Sequence, residues 1–528
     1  MPKKILAAIP REEPDEDKGT SITNIRETYT EEIIIGLCGH IGTNIHLISK
    51  WIKEILEQSF KYECHIITLS DYIRKLKDEQ IRNTENGTEE FNRVFNTIRA
   101  GNALRGENLD NSILSMLAIM EIAKKRSKDQ KKEGLFESRR ICYIIDSIKH
   151  QEELELFRII YRDIMYFIGV FSPINIRIDN LIDRNIAKHE ITKLINIDSG
   201  EEISHGQKVT KTFTNADYFL RIDYSNRDIL ENRTGELAKR SIQDQLKRFF
   251  NLILGNGIIT PTKDETAMYL ASSAAKNSAC LSRQVGAAIT DENGDVIAVG
   301  WNDVPKYGGN LYQGKNNYEI DDFRCMNFEN HSCVNDDRKK KLSVDIVDQL
   351  IEKKVISELN KKEVLEIMSK SKIGSLIEYC RAVHAEMHAL IIGSQNTGKK
   401  MKGGALFCTT YPCHNCARHL VLAGIKKIYY IEPYRKSLSI DLHNDSITEN
   451  ENENKKVVIL MYNGVAPRRY MELFSMENNP RKYEDSGKVL KFDLSKLEPK
   501  DAISLEAIPT LESLVLRMLK NKGIINES

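Results

Sequence analysis

From about residue 31 to 225, short apolar runs alternate with longer stretches of helical period. The runs cover residues 32–36, 64–69, 140–146, 165–170 and 216–223, and most are rich in isoleucine, valine and aromatic residues. This alternation predicts a parallel sheet crossed by helices. Residues 1–30 are polar enough to read as a tail. Residues 226–260, with "ENRTGELAKRSIQDQLKRFFNLIL", predict a helical linker. A second α/β pattern begins near residue 264. "DETAMYLASSAAKNSACLS" predicts a helix of small residues, and "QVGAAITDENGDVIAVGWND" two strands joined at Asn293-Gly294, a favoured hairpin turn. A charged insertion follows over 313–378, helical in its second half. "ALFCTTYPCHNCARHLVLAGIKKIYYIEPY" then reads strand, helix, strand, and the tail from 451 adds a strand and a helix. The expected domains are 31–225 and 261–528.

The first apolar run leads into "IIIGLCGHIGTNIHLISK" at 33–50. Strand, glycine-rich loop and helix are the layout of a phosphate-binding P-loop, G-x-x-x-x-G-K-[ST]. Against the nucleotide-kinase form G-L-x-G-x-I-G-x-G-K-S, Gly36, Gly39, Ile41 and Gly42 fall in place. Asn44 stands where the last glycine belongs, Ile45 where the lysine belongs and His46 where the hydroxyl residue belongs. The backbone device remains, with Gly39, Gly42, Thr43 and Asn44 at a helix start able to hold an anion. The charge for the phosphoryl group and the hydroxyl for magnesium are gone, so phosphoryl transfer is not expected. Asp146, ending "RRICYIID", stands where P-loop proteins often carry a magnesium-handling acid; the alternative is a polar strand end. For the loop two readings stand: a regulatory nucleotide site, or scaffold.

Composition narrows the function class. A chain of 528 residues is too long for one ordinary core. Its formal net charge of +1 gives no global attraction to nucleic acid or anionic membrane. There is no run of about 18 apolar residues, so no membrane span is expected. The N-terminus lacks the apolar core of a signal peptide. Ten scattered cysteines fit reduced thiols in a cytoplasm, where a close cysteine pair more often binds metal than forms a disulfide.

Such a pair is present. "VHAEMH" at 383–388 and "YPCHNC" at 411–416 together make H-x-E … P-C-x-x-C, the signature of zinc deaminases. One imidazole, His384, and two thiolates, Cys413 and Cys416, make a three-ligand zinc site with a fourth position for water. Pro412 suits the first turn of a helix, and two cysteines three apart then share its first turn. Glu386, two residues from the histidine, is placed to carry protons between water, ring nitrogen and leaving amine. A redox C-x-x-C and the protease motif H-E-x-x-H are the rivals. The second fails because the glutamate is one residue too far along. His388, His414 and His419 read as packed or exposed helix histidines.

Residues 264 to about 435 resemble the cytidine and deoxycytidylate deaminase superfamily through "CLSRQVGAAIT", "VGWND", "HAE" and "PCHNC". The resemblance implies a zinc-dependent α/β/α sandwich. It also implies a sugar contact from Asn302, a backbone contact to the base from Ala385 and a phosphate contact from Arg283. Some deoxycytidylate deaminases hold a second, structural zinc in such an insertion, for which Cys325, His331 and Cys333 are the candidates. With its kinase-like N-terminal half, and with "YYIEPYRKS" and "GVAPRRY", the whole chain is similar to bacterial anti-phage dCTP deaminases. That implies conversion of deoxycytidine nucleotides, dCTP or dCMP, to deoxyuridine nucleotides. It also implies pool depletion in antiviral defence, restraint in some members by a small inhibitory RNA, and a homo-oligomer. Lys436, Arg468 and Arg469 would then be phosphate contacts. The rival classes are a polynucleotide deaminase and a nucleotide- or RNA-sensing module with a vestigial deaminase.

Overall fold

The computed structural model describes residues 28–78, 87–128, 138–199, 207–225, 233–314, 322–434, 437–476 and 481–525, with a few isolated residues besides. The chain forms two compact units, Met1–Thr260 with Asn463–Ser528, and Pro261–Tyr462.

The first unit is built on β1 (Ile33–Gly39), β2 (Glu63–Thr68), β3 (Ile141–Asp146), β4 (Met165–Phe171) and β5 (Tyr218–Arg221). All are parallel, in the order β5-β4-β1-β3-β2. Every residue of β1 and β3 is buried, as expected for strands covered on both faces. The helices that position the first unit's loop are α1 (Ile45–Phe60), α2 (Glu89–Glu107), α3 (Ile113–Lys128), α4 (Gln151–Tyr161), α5 (Ile174–Ile182) and α6 (Lys188–Ser199). The five apolar runs of the sequence correspond to these five strands, with shifted ends. β1 is the informative shift. Its pairing with β4 continues to Gly39↔Val170, so Gly36 and Gly39 are strand residues. The connecting loop is only His40–Asn44.

Two boundaries differ from the expectation. The presumed linker holds α7 (Arg233–Ile253), and its Ile242, Leu246, Phe249, Phe250 and Ile253 are buried in the first unit's core beside β1 and β4 residues. Their spacing of three and four is an apolar helix stripe, and burying it makes the helix structural. The expected deaminase domain also ends early, at Tyr462. Beyond it, Gly464–Val465 adds an antiparallel strand to β5, and Val465, Leu473 and Leu497 enter the same core. The last helix, Ala507–Asn521, brings Glu512 to Arg126 of α3 at 3.1 Å, and Arg126 also binds Glu32. Part of the presumed tail is ordered too: Tyr29 bridges to Ser504, while residues 1–20 lie outside the described residues.

The second unit begins with α8 (Lys263–Ala275), capped by Thr262 and Glu265 in a reciprocal box. β6 (Gly286–Thr290) and β7 (Val296–Trp301) form the expected hairpin, with Gly294 at φ +83°. The insertion contains α9 (Val334–Glu352), half-buried to exposed along its length, with Ser343 and Val347 buried. Then come α10 (Ala385–Thr397), β8 (Ala405–Thr410), α11 (His414–Ala423), β9 (Lys427–Glu432), β10 (Ile447–Thr448) and β11 (Val457–Met461). The sheet order is β10-β11-β9-β8-β6-β7. Gly300 lets α10 lie close on β7, because a Cβ there would stand 2.4 Å from the Ala389 nitrogen. No helix among the described residues is long and apolar enough to cross a membrane.

Candidate active site

The second unit's site is made by two helix starts. Asp303, just after β7, accepts the Val383 N–H at 2.9 Å through its carbonyl, and this bridge fixes the approach to α10. His384 is then the N-cap, Ala385 the first helical residue and Glu386 the second. β8 runs the other way into α11, where Cys413 is the N-cap. Its Sγ accepts the Cys416 N–H at 3.4 Å, an anion-accepting position that favours thiolate. Pro412 therefore precedes the cap instead of sitting in the first turn. Its carbonyl accepts hydrogen bonds from Ser437 and Ser439 at 2.8 and 3.0 Å, which ties the loop after β9 to the cysteine turn.

His384 Nδ1 lies 3.3 Å from Cys413 Sγ and 3.4 Å from Cys416 Sγ. The three ligand atoms all lie within 4.8 Å of one another. A tetrahedral zinc with bonds of about 2.0–2.3 Å needs ligand atoms roughly 3.5–3.8 Å apart. The donor set and spacing therefore fit one such ion. Glu386 is buried beside the group. Desolvation pushes its carboxyl up to about 6, with His384 pulling the other way. Hydrogen bonding to Cys380 and then to Cys413 raises the His384 imidazole, and Cys413 is held well below the usual thiol range by Cys416 and His384. Cys380 escaped the sequence reading. Its only signal was a cysteine four residues before the signature histidine.

The expected substrate residues already have protein partners. Asn302 is buried; its Oδ1 accepts the Val285 N–H at 2.7 Å and its Nδ2 donates to the Arg283 carbonyl at 2.9 Å. It thus brackets the entry to β6. Arg283 pairs with Glu432 at 3.2 Å on the surface. His388 is a packed residue, as expected: it receives the Trp301 N–H on Nδ1, contacts Asn310 through Nε2, and burial lowers its pKa. Among the described residues, Cys325, His331 and Cys333 form no metal-binding group; the His331 ring is bonded to the Met326 carbonyl and Cys333 to Ser282. Lys436 lies outside the described residues. Arg468 and Arg469 belong to the first unit, bound to Asp217 and to Glu472 and Asp501. Their neighbours there are Arg158 and Arg162, not the zinc ligands.

Residues 261–432 match the family described as "Cytidine and deoxycytidylate deaminase zinc-binding region". The C-terminal part of the chain carries a cytidine/deoxycytidylate deaminase domain. A "Deoxycytidylate deaminase" of Enterobacteria phage T2 is 28% identical over 175 residues, covering 33% of this chain and 82% of the relative. The corresponding protein of Enterobacteria phage T4 is 27% identical over 175 residues, 33% of this chain and 80% of the relative. Among solved structures, a dCMP deaminase from the cyanophage S-TIM5 in complex with dCMP and dUMP shares 22% identity. It aligns with 39% of this chain and 99% of its own, with a TM-score of 0.23. The family match ends at Glu432, so it includes His384, Glu386, Cys413, Cys416 and Asn302 and does not extend into the first unit.

In the first unit, the loop after β1 is closed by protein groups. The Ile41 N–H donates to Asp198 Oδ2 at 2.8 Å, and Lys149 Nζ donates to Asp198 Oδ1 at 3.1 Å and to the Gly39 carbonyl at 2.6 Å. Arg177 and Asn180 of α5 hold the Ile41 and Gly42 carbonyls. Gly42 has φ +85°, and a Cβ there would meet the Arg177 carbonyl at 2.6 Å. Asn44 caps α1 without a side-chain cap bond. Asp146 accepts from His46 Nδ1 and from Ser147 Oγ.

Proposed function

We propose that this protein hydrolytically deaminates deoxycytidine nucleotides, dCTP or dCMP, to the deoxyuridine forms. The observation that carries the reading is His384, Cys413 and Cys416 within 4.8 Å of one another, with buried Glu386 in the first turn after His384. These three residues would hold one zinc ion, which supplies the Lewis acidity that makes water nucleophilic near neutral pH. Glu386 takes a proton from the attacking water, then delivers protons to the ring nitrogen and to the amine that leaves as ammonia. Ala385 offers its backbone to the base, Asn302 orients the sugar and Arg283 exchanges Glu432 for a phosphate. Depletion of the deoxycytidine nucleotide pool during phage infection is the setting this activity fits.

The test is a panel of dCTP, dCMP and a cytosine-containing oligonucleotide on purified protein with zinc quantified. Turnover of a free nucleotide supports the reading, and its failure with Glu386→Ala at unchanged zinc content assigns the proton carrier. Turnover of the oligonucleotide alone would make the protein a polynucleotide deaminase. Full phage protection by Glu386→Ala would make it a sensing module.

A further inference from the structure

The first unit holds a cavity that the deaminase reading does not use. It lies at the carboxyl ends of β1, β2 and β3, between the loop His40–Asn44, the start of α1 and one face of α2. Here the chain leaves β1 for the far edge strand β2, returns to β3 beside β1, and crosses to β4 on the other side. Open α/β sheets take ligands at such a reversal point, outside the strand ends. The cavity has a volume of about 180 Å³, far above the ~10–15 Å³ that one water requires on the same measure.

Its chemistry is uneven. One wall is apolar, from Leu69, Ile73, Val94 and Ile98. The rest is cationic and polar. Arg105 is matched by Glu153, Lys149 by Asp198 and Arg74 by Asp71, but Arg93 and Arg184 share one carboxylate, Glu90. One guanidinium charge at the rim is thus unmatched within this set.

The two places that phosphate and magnesium take in an open P-loop are filled from within. Asp198 supplies the carboxylate that the loop N–H and Lys149 bind. Asp146 is engaged by His46, whose side chain is 69% exposed while Asp146 is 1% exposed. With Nδ1 bonded to the carboxylate, the ring is oriented and its other nitrogen is left for a ligand, the arrangement by which carboxylates position functional histidines.

The geometry points to an organic phosphate site of nucleotide size that works without a divalent cation. Arg93, Arg184 and His46 take the phosphomonoester, and Leu69 and Ile98 face the organic body. The site is independent of the deaminase chemistry.

Calorimetric titration of the full-length chain with inorganic phosphate, AMP and GMP, in magnesium-free buffer and in excess magnesium, tests this. The purine nucleotides avoid the pyrimidine site. The expected result is binding of at least one nucleotide, unchanged by magnesium and weakened tenfold or more by Arg184→Gln and by His46→Gln in chains that keep an unchanged far-UV circular dichroism spectrum at the assay temperature. Thr97→Phe, which fills the cavity instead of removing charge, should also abolish it. Binding of inorganic phosphate as tight as that of AMP, with the same dependence on Arg184, would identify the free anion as the ligand of the same site. The proposal falls if neither nucleotide nor phosphate binds, if binding requires magnesium, or if it is lost in Asn302→Ala and kept in Arg184→Gln.

Discussion

Two strand–turn–helix corners of this chain use the same local device to different ends. At Tyr411–Cys413 the turn ends in a thiol N-cap, and the helix-start N–H of Cys416 points at Cys413 Sγ. The corner's thiols meet each other, His384 and the buried Glu386, so three metal-capable donors stand together. At His40–Asn44 the turn also ends at a helix start, but Asp198 takes the Ile41 N–H, and α5 side chains take the Ile41 and Gly42 carbonyls. The helix start is shared. What separates a site from a closed loop is whether side chains from elsewhere in the fold already satisfy it.

The comparison can be broken by substitution. The largest effect is expected from Glu386→Gln, with deamination falling by about 10²–10⁴ and bound zinc unchanged by elemental analysis. If activity survives, the deaminase corner is as closed as the loop. Asp198→Ala should follow. It leaves Lys149 and the Ile41 N–H without their buried carboxylate, and we expect a loss of about 3–5 kcal/mol in the first unit. The chain has two tryptophans, Trp51 in α1 and Trp301 in β7, so a Trp301→Phe background reports the first unit alone in urea. A loss below 1 kcal/mol would mean the carboxylate is not the loop's internal anion.

Smaller effects sharpen the picture. Asn302→Ala removes partners from the Val285 N–H and the Arg283 carbonyl, and should cost about 1–3 kcal/mol in a Trp51→Phe background. No loss would leave Asn302 free for substrate. The smallest effect is a pH slope. Hydrogen bonds from Arg93 and Arg184 depress Glu90 from 4.5 to about 2. A depressed carboxylate contributes stability that is present above 4.5 and is lost as pH falls toward 2. Glu90→Gln should flatten urea midpoints across that window, lowering them slightly at neutral pH and converging with the unsubstituted chain near pH 2.

Much of this was legible in one dimension. A buried parallel strand must be apolar throughout, so β1 and β3 announce themselves, and Asn293-Gly294 marks its hairpin because type I′ turns need positive φ. The group His384, Cys413 and Cys416 is readable because metal chemistry admits few residue types at fixed spacing. The helix 233–253 was misread because an apolar stripe says that a face is buried and not what buries it. Residues 463–528 were misassigned because chain order does not carry the return to β5. Cys380, Arg468 and Arg469 found their partners through contacts between segments far apart or without a motif.

The sequence by itself determined the candidate ligand set His384, Cys413 and Cys416, the carboxyl of Glu386 and the missing lysine at Ile45. These follow from side-chain chemistry and local backbone geometry, which act over a few residues. Only the tertiary structure decided that the C-terminal segment joins the first unit, that Asn302 brackets Arg283–Val285, and that Asp198, some 157 residues from Ile41, fills the loop. Those outcomes depend on hydrogen bonds and buried charge between remote segments, and their energy exists only once the core has brought the segments together.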